Sequence, residues 1–151
     1  MPPSVAFSSA GGPQPRSADP SVFSPQSAQI LLQIFRLLSP HDLLDDSYYE
    51  FVVDKFAAKC SADRPFADLI EKGICRLIDE YHWSQLSEPG RLETLQKIEE
   101  SPFFQAIRTE FILIFYGNPL VWKFLGYEGP SNDLGGYIHR GFDDLDWLSA
   151  E

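Results

Sequence analysis

The stretch Phe66-Ala67-Asp68-Leu69-Ile70-Glu71-Lys72-Gly73-Ile74-Cys75-Arg76-Leu77-Ile78-Asp79-Glu80-Tyr81 decides the fold. Phe66, Leu69, Ile70, Gly73, Ile74, Leu77, Ile78 and Tyr81 recur at helical spacing, while Asp68, Glu71, Lys72, Arg76, Asp79 and Glu80 hold the opposite side. A helix with one apolar stripe must bury it against another element, so a helical domain is expected. Gly73, inside the stripe, costs about 1 kcal/mol of helix propensity relative to Ala, which points to the close approach of a neighbouring helix.

Upstream, Ser24-Pro25 reads as a helix start, a capping residue followed by a proline whose missing N–H costs nothing at the first helical position. Ile30, Leu31, Ile34, Leu37 and Leu38 form its apolar face, widened by Leu32 and Phe35, and the helix stops near Ser39-Pro40. The next helix starts around Asp46 to Glu50, where Ser47 and Glu50 have the spacing of a capping box, and Tyr49, Val52, Phe56 and Cys60 supply its stripe. Downstream, a shorter helix over 88–99 carries Leu92, Leu95 and Ile98. Ser101-Pro102 then repeats the cap-and-proline start, and the helix it opens runs to Gly117. Phe111 to Tyr116 is apolar all round and suits a buried strand by periodicity alone, but length and the upstream cap favour a helix. Asn118-Pro119 starts one more short helix through Leu125.

The fold class expected is therefore mainly α: a compact bundle of about five helices over 24–125. A flexible Pro/Ser/Gly-rich arm over 1–23 precedes it, and a glycine- and aromatic-rich extended tail over 126–151 follows. The tail carries Tyr127, Tyr137, Phe142 and Trp147 among its glycines, too much aromatic surface to be left in water. It lies on the helices, on a partner, or on both.

The 151 residues, 44% of them apolar and 14% aromatic, suffice for one domain with a real core. A formal net charge of -10 argues against nucleic acid, whose phosphates are bound by Lys and Arg, and against an anionic membrane surface. The longest apolar runs are too short for a transmembrane helix, so direct membrane insertion is not expected. The arm has no apolar core segment and no paired arginines, Arg16 being its one basic residue; no export signal is read in it, and a cytoplasmic location follows by sequence. Cys60 and Cys75 are the only cysteines and are read as two buried thiols on apolar helix faces.

Histidine chemistry would have to use His41, His82 or His139, which show no metal-binding spacing. Pro40-His41-Asp42 sets a carboxylate beside an imidazole, but neighbours on a chain usually point apart, and the preferred reading is a structural turn between the first two helices held by His41 and Asp42. Asp143, Asp144 and Asp146 lack the ligand order of an EF-hand loop and read as a solvated acidic turn. No nucleophile elbow, phosphate loop or dinucleotide fingerprint occurs. No catalytic, cofactor-binding or metal residue is therefore assigned.

Taken in order, Pro40-His41-Asp42 with Leu44-Asp45-Asp46 and Tyr49; Ser101-Pro102-Phe103-Phe104; Tyr116, Pro119, Trp122, Gly126-Tyr127 and Gly129-Pro130; and Gly135-Gly136-Tyr137 with Gly141-Phe142-Asp143-Asp144-Leu145-Asp146-Trp147 resemble the gluconate 2-dehydrogenase subunit 3 family. The resemblance runs from about Ser24 to Leu148, and its C-terminal third is the specific part. It implies a non-catalytic small subunit that supports maturation, stability or export of a large FAD-dependent oxidoreductase of the glucose-methanol-choline type, in bacteria often alongside a c-type cytochrome subunit. The FAD would belong to the large subunit, with no cofactor in this chain. Many members of that family begin with a twin-arginine signal, where this chain has Arg16 alone. Either the pair stays in the cytoplasm, or a signal-bearing partner exports it to the periplasm, or the true start lies upstream. Tyr127, Tyr137, Phe142 and Trp147 are residue types that dominate interface energy, and with Asp143, Asp144 and Asp146 they form the expected partner-binding segment. Two other readings stand beside this one: a stand-alone helical enzyme using His41 and Asp42, with or without a metal at His82 or His139, and a soluble helical adaptor unrelated to flavoproteins.

Overall fold

Asp63 both ends one helix and begins the next. Its N–H closes the preceding helix on the Lys59 carbonyl at 2.8 Å, and its carboxylate accepts from the Phe66 N–H at 3.0 Å. With Pro65 in the first turn, one residue thus sets a sharp corner between two long helices. The computed structural model describes residues 22–130, and among these the regular structure is all helical: α1 (Pro25–Leu38), α2 (Asp46–Ala62), α3 (Arg64–Asp79), α4 (Glu88–Lys97), α5 (Pro102–Tyr116) and α6 (Pro119–Leu125), with a 3-10 turn over Trp83–Gln85. The fold is mainly helical, and Phe111 to Tyr116 belongs to a helix rather than to a strand. The chain divides into two units, Met1–Phe115 and Tyr116–Glu151.

The helix starts follow local chemistry. Ser24 caps α1 by accepting from the Ser27 N–H at 3.1 Å, and Ser101 accepts from the Phe104 N–H at 3.2 Å at the start of α5. At α2 the cap differs from the expected box: the Asp45 carboxylate accepts from the Ser47 N–H at 2.9 Å and also from the Ser47 hydroxyl. Asp45 sits one position before the helix, where its carboxylate reaches the unpaired N–H groups, whereas Ser47 is already inside the first turn.

The core of the first unit is aromatic. The Phe35 ring centroid lies 5.0 Å from those of both Phe56 and Phe111, and Phe115 lies 5.0 Å from both Phe111 and Tyr49. These rings come from α1, α2 and α5, so one cluster ties three helices together, each ring pair adding about 0.5–1.5 kcal/mol beyond simple burial. At its edge the Lys59 ammonium of α2 pairs with the Glu110 carboxylate of α5 and lies over the Phe66 ring of α3 at 4.6 Å. Trp83 is fully buried after α3, its indole N–H donating to the Gln33 side-chain oxygen at 2.8 Å. The residue before it, His82, takes a left-handed φ of 50° to turn the chain, a conformation that costs a non-glycine residue about 1–2 kcal/mol.

The stripe of α3 buries Ile70, Gly73, Ile74 and Leu77 and half-buries Phe66, Leu69 and Ile78. Cys75 falls off that stripe and is exposed, which corrects the expectation of two buried thiols; Cys60 is the buried one. The next residue after Ile74 is rotated by about 100° from it on a helix, enough to carry Cys75 round to the solvent side.

Candidate functional site

The turn that carries Pro40, His41 and Asp42 is held from below by Tyr49. Its hydroxyl donates to the buried Ser39 carbonyl at 2.6 Å and accepts from the His41 N–H at 3.3 Å. The His41 N–H also reaches the Ser39 carbonyl at 2.9 Å, and the Leu44 N–H reaches the His41 carbonyl at 3.0 Å. The two members of the turn then meet different surroundings. The half-buried His41 ring lies parallel to the Phe115 ring, centroids 5.9 Å apart, whereas exposed Asp42 lines a groove between α1 and α4.

That groove has a volume of about 430 Å³, and its walls include Gln33, Arg36, Asp46, Glu88 and Arg91 beside Asp42. Arg36 is fixed on all sides: its guanidinium donates to the Asp46 carboxylate at 2.8 and 2.5 Å and to the His41 carbonyl at 3.4 Å, and lies 4.3 Å from the Tyr49 ring centroid. Arg91 donates to the Trp83 carbonyl at 3.3 Å. Sequence reading passed over Arg36, Gln33 and Arg91, because an isolated polar residue beside an apolar stripe gives no sign of its partner ten or fifty positions away. Asp46 and Tyr49 were singled out as helix and motif residues, but their hold on Arg36 and Ser39 is visible only in three dimensions.

Among the described titratable groups Cys60 is strongly displaced. Burial, with help from the Asp63 carboxylate and against the Lys59 charge, pushes its thiol up to about 11, so it stays protonated and poorly nucleophilic at neutral pH. Exposed His82 lies in the turn after α3. Among the described residues no group of three or more His, Cys, Asp or Glu side chains is placed to hold a metal ion. No helix among them is long and apolar enough to cross a membrane.

Of the expected partner-binding residues, Tyr127 is described: it is 46% exposed and meets Trp122 edge to face, centroids 5.5 Å apart. Trp122 donates its indole N–H to the Tyr116 carbonyl, and Gly129 has a φ of 96°, with room for a Cβ 3.6 Å from the Trp122 ring. Tyr137, Phe142, Asp143, Asp144, Asp146 and Trp147 lie outside the described residues, as does His139. Large apolar side chains stand in solvent on two stretches. On α5, Ile112, Leu113 and Tyr116 form one exposed stripe; on and after α6, Leu120, Phe124, Leu125 and Tyr127 are exposed. Compared with protein-family models, curated proteins and solved structures, the chain matches none.

Proposed function

We propose that this chain is a non-catalytic helical subunit that binds and supports a larger FAD-dependent sugar or alcohol dehydrogenase. The observation that carries the reading is the exposed apolar side chains of α5 and α6. Leu113 is 64% exposed, and Ile112, Leu120, Phe124, Leu125 and Tyr127 are each above 40%. Taken unit by unit, Ile112 beside Leu113 in the first and Leu120, Phe124 and Leu125 in the second are neighbouring exposed apolar side chains, which mark a surface that is covered in a complex, whereas single scattered residues would not. The direction of the reading, toward a flavoprotein, comes from the resemblance of the motif series Pro40 to Tyr49, Ser101 to Phe104 and Tyr116 to Trp147 to subunit 3 of gluconate 2-dehydrogenase. FAD and substrate would then belong to the partner, together with any c-type cytochrome in the assembly.

Native purification of the tagged chain from its own cells tests this. The expected result is a stoichiometric large chain with flavin absorbance, lost on Leu113→Asp or Phe124→Asp with circular dichroism unchanged. A copurifying chain without flavin would replace this reading by a general adaptor, and a chain that purifies alone would reject it.

A further inference from the structure

A second cavity, of about 180 Å³, opens between α3 and the start of α5. Its floor exists because position 73 is glycine: the Phe103 ring lies against the α3 backbone there, where any Cβ would fall 1.9 Å from the ring. Leu69, Leu77 and Ile98 complete an apolar lining. Pockets for drug-sized molecules run to about 300–1,000 Å³, so this one takes something smaller.

Among the described residues, the charged side chains that line it are Lys72 and Arg76, one turn apart on α3, in a chain whose formal net charge is -10. Arg76 is held in place by Glu80, with contacts of 3.1 to 3.2 Å, and Lys72 forms no salt bridge among the described residues. Ser101 lines the same cavity, and its hydroxyl, while accepting from the Phe104 N–H, still has a proton to donate. An apolar recess with two cations and a hydroxyl beside it is complementary to one chemical class, a short apolar body ending in an anion. Lys72 offers a mobile point charge, and Arg76, whose Nε and Nη2 already donate to Glu80, offers its remaining Nη1 hydrogens from a fixed position, together a receiver for a carboxylate.

We propose that this cavity binds a small amphiphilic carboxylate, its acyl or aryl group seated on Gly73 and Phe103 and its carboxylate at Lys72 and Arg76. The site is independent of the flavoprotein reading, since it uses neither the exposed stripe of α5 nor α6.

Titration of the full ¹⁵N-labelled chain with sodium octanoate, followed by amide NMR shifts, tests the site. Saturable shifts are expected at Gly73, Ile98 and Phe103, and octan-1-ol should bind several-fold more weakly. Lys72→Gln with Arg76→Gln, both on the exposed face, should weaken octanoate by about fivefold, as expected for solvent-exposed charges worth about 1 kcal/mol, and leave octanol unchanged. Leu69→Trp should fill the recess and abolish both; if that variant fails to fold, the charge variant and the octanol comparison still decide. Octanol binding as tightly as octanoate, an unchanged affinity in the charge variant, shifts confined to α5 and α6, or no saturable shift at all would each overturn the proposal.

Discussion

Phe103 occupies the space that a side chain at residue 73 would need: a Cβ built on Gly73 would lie 1.9 Å from the Phe103 Cδ2 and 2.2 Å from its Cγ. The glycine thus gives up helix propensity in the middle of α3 so that α5 can bring an aromatic ring onto its backbone. Nothing about Gly73 requires an unusual backbone, since it sits inside a regular helix; the requirement is purely one of space.

Gly73→Ala should therefore destabilise the domain despite the better helix former. The propensity gain of about 1 kcal/mol is outweighed by displacement of a buried ring, which costs about 1–3 kcal/mol or more in overpacked cores. Phe103→Ala combined with Gly73→Ala should recover part of the loss relative to the sum of the single variants, because the clash is removed. Urea unfolding of the four proteins gives the coupling directly, and additive effects would show that the contact is not what holds residue 73 to glycine.

The two cysteines should differ sharply toward thiol reagents. Cys75 is exposed on α3, whereas Cys60 is 4% exposed and its thiol is pushed up to about 11 by burial. Native protein treated with a maleimide at neutral pH should take one label quickly, at Cys75, and a second only on unfolding. Because the Cys60 pKa is raised in the folded state, the fold holds its proton more tightly than the unfolded chain does. The contribution of this group to stability is therefore present below about pH 8.5, the ordinary thiol range, and is lost as pH rises toward 11. Cys60→Ala should flatten the alkaline fall in stability; an unchanged fall would place its origin elsewhere.

Where the sequence was legible, the reason was local. Ser24-Pro25, Ser101-Pro102 and Asn118-Pro119 each combine a side-chain acceptor with a proline, and each opens a helix in the structure. Gly73 announced a close approach because an exposed helix face would have no use for it. The errors arose where two residues competed for one role or where residue type was taken for position. Asp45 rather than Ser47 caps α2, since both lie within reach of the same N–H groups. Cys75, apolar in type, falls outside the buried arc of α3. Phe111 to Tyr116 is apolar all round, which gives no sign of the face that turns outward; in the structure Phe111 and Phe115 are buried and Ile112 and Leu113 exposed. The groove beside Asp42 was illegible because Gln33, Arg36 and Arg91 gain their meaning from residues distant in sequence.

The Pro40-His41-Asp42 turn should depend on Tyr49 more than on its own histidine. The Tyr49 hydroxyl meets the Ser39 carbonyl at 2.6 Å and the His41 N–H at 3.3 Å, inside a site where Ser39 is 4% exposed and Tyr49 fully buried. Tyr49→Phe keeps the ring, and with it the packing on Phe115 and the contact with Arg36, but takes away the hydroxyl that donates to the buried Ser39 carbonyl, which keeps the His41 N–H at 2.9 Å. A loss of about 1 kcal/mol is expected from that hydrogen bond, read as a lowered urea midpoint with unchanged slope. His41→Ala removes a half-buried ring 5.9 Å from Phe115 while sparing the backbone N–H that Tyr49 receives, so it should cost less, about 0.5 kcal/mol, the low end for an aromatic pair. Both variants should keep the helical signal in circular dichroism. The order of the two losses is the decisive reading: a His41→Ala variant more damaged than Tyr49→Phe would mean that the imidazole, not the phenol beneath it, fixes the turn.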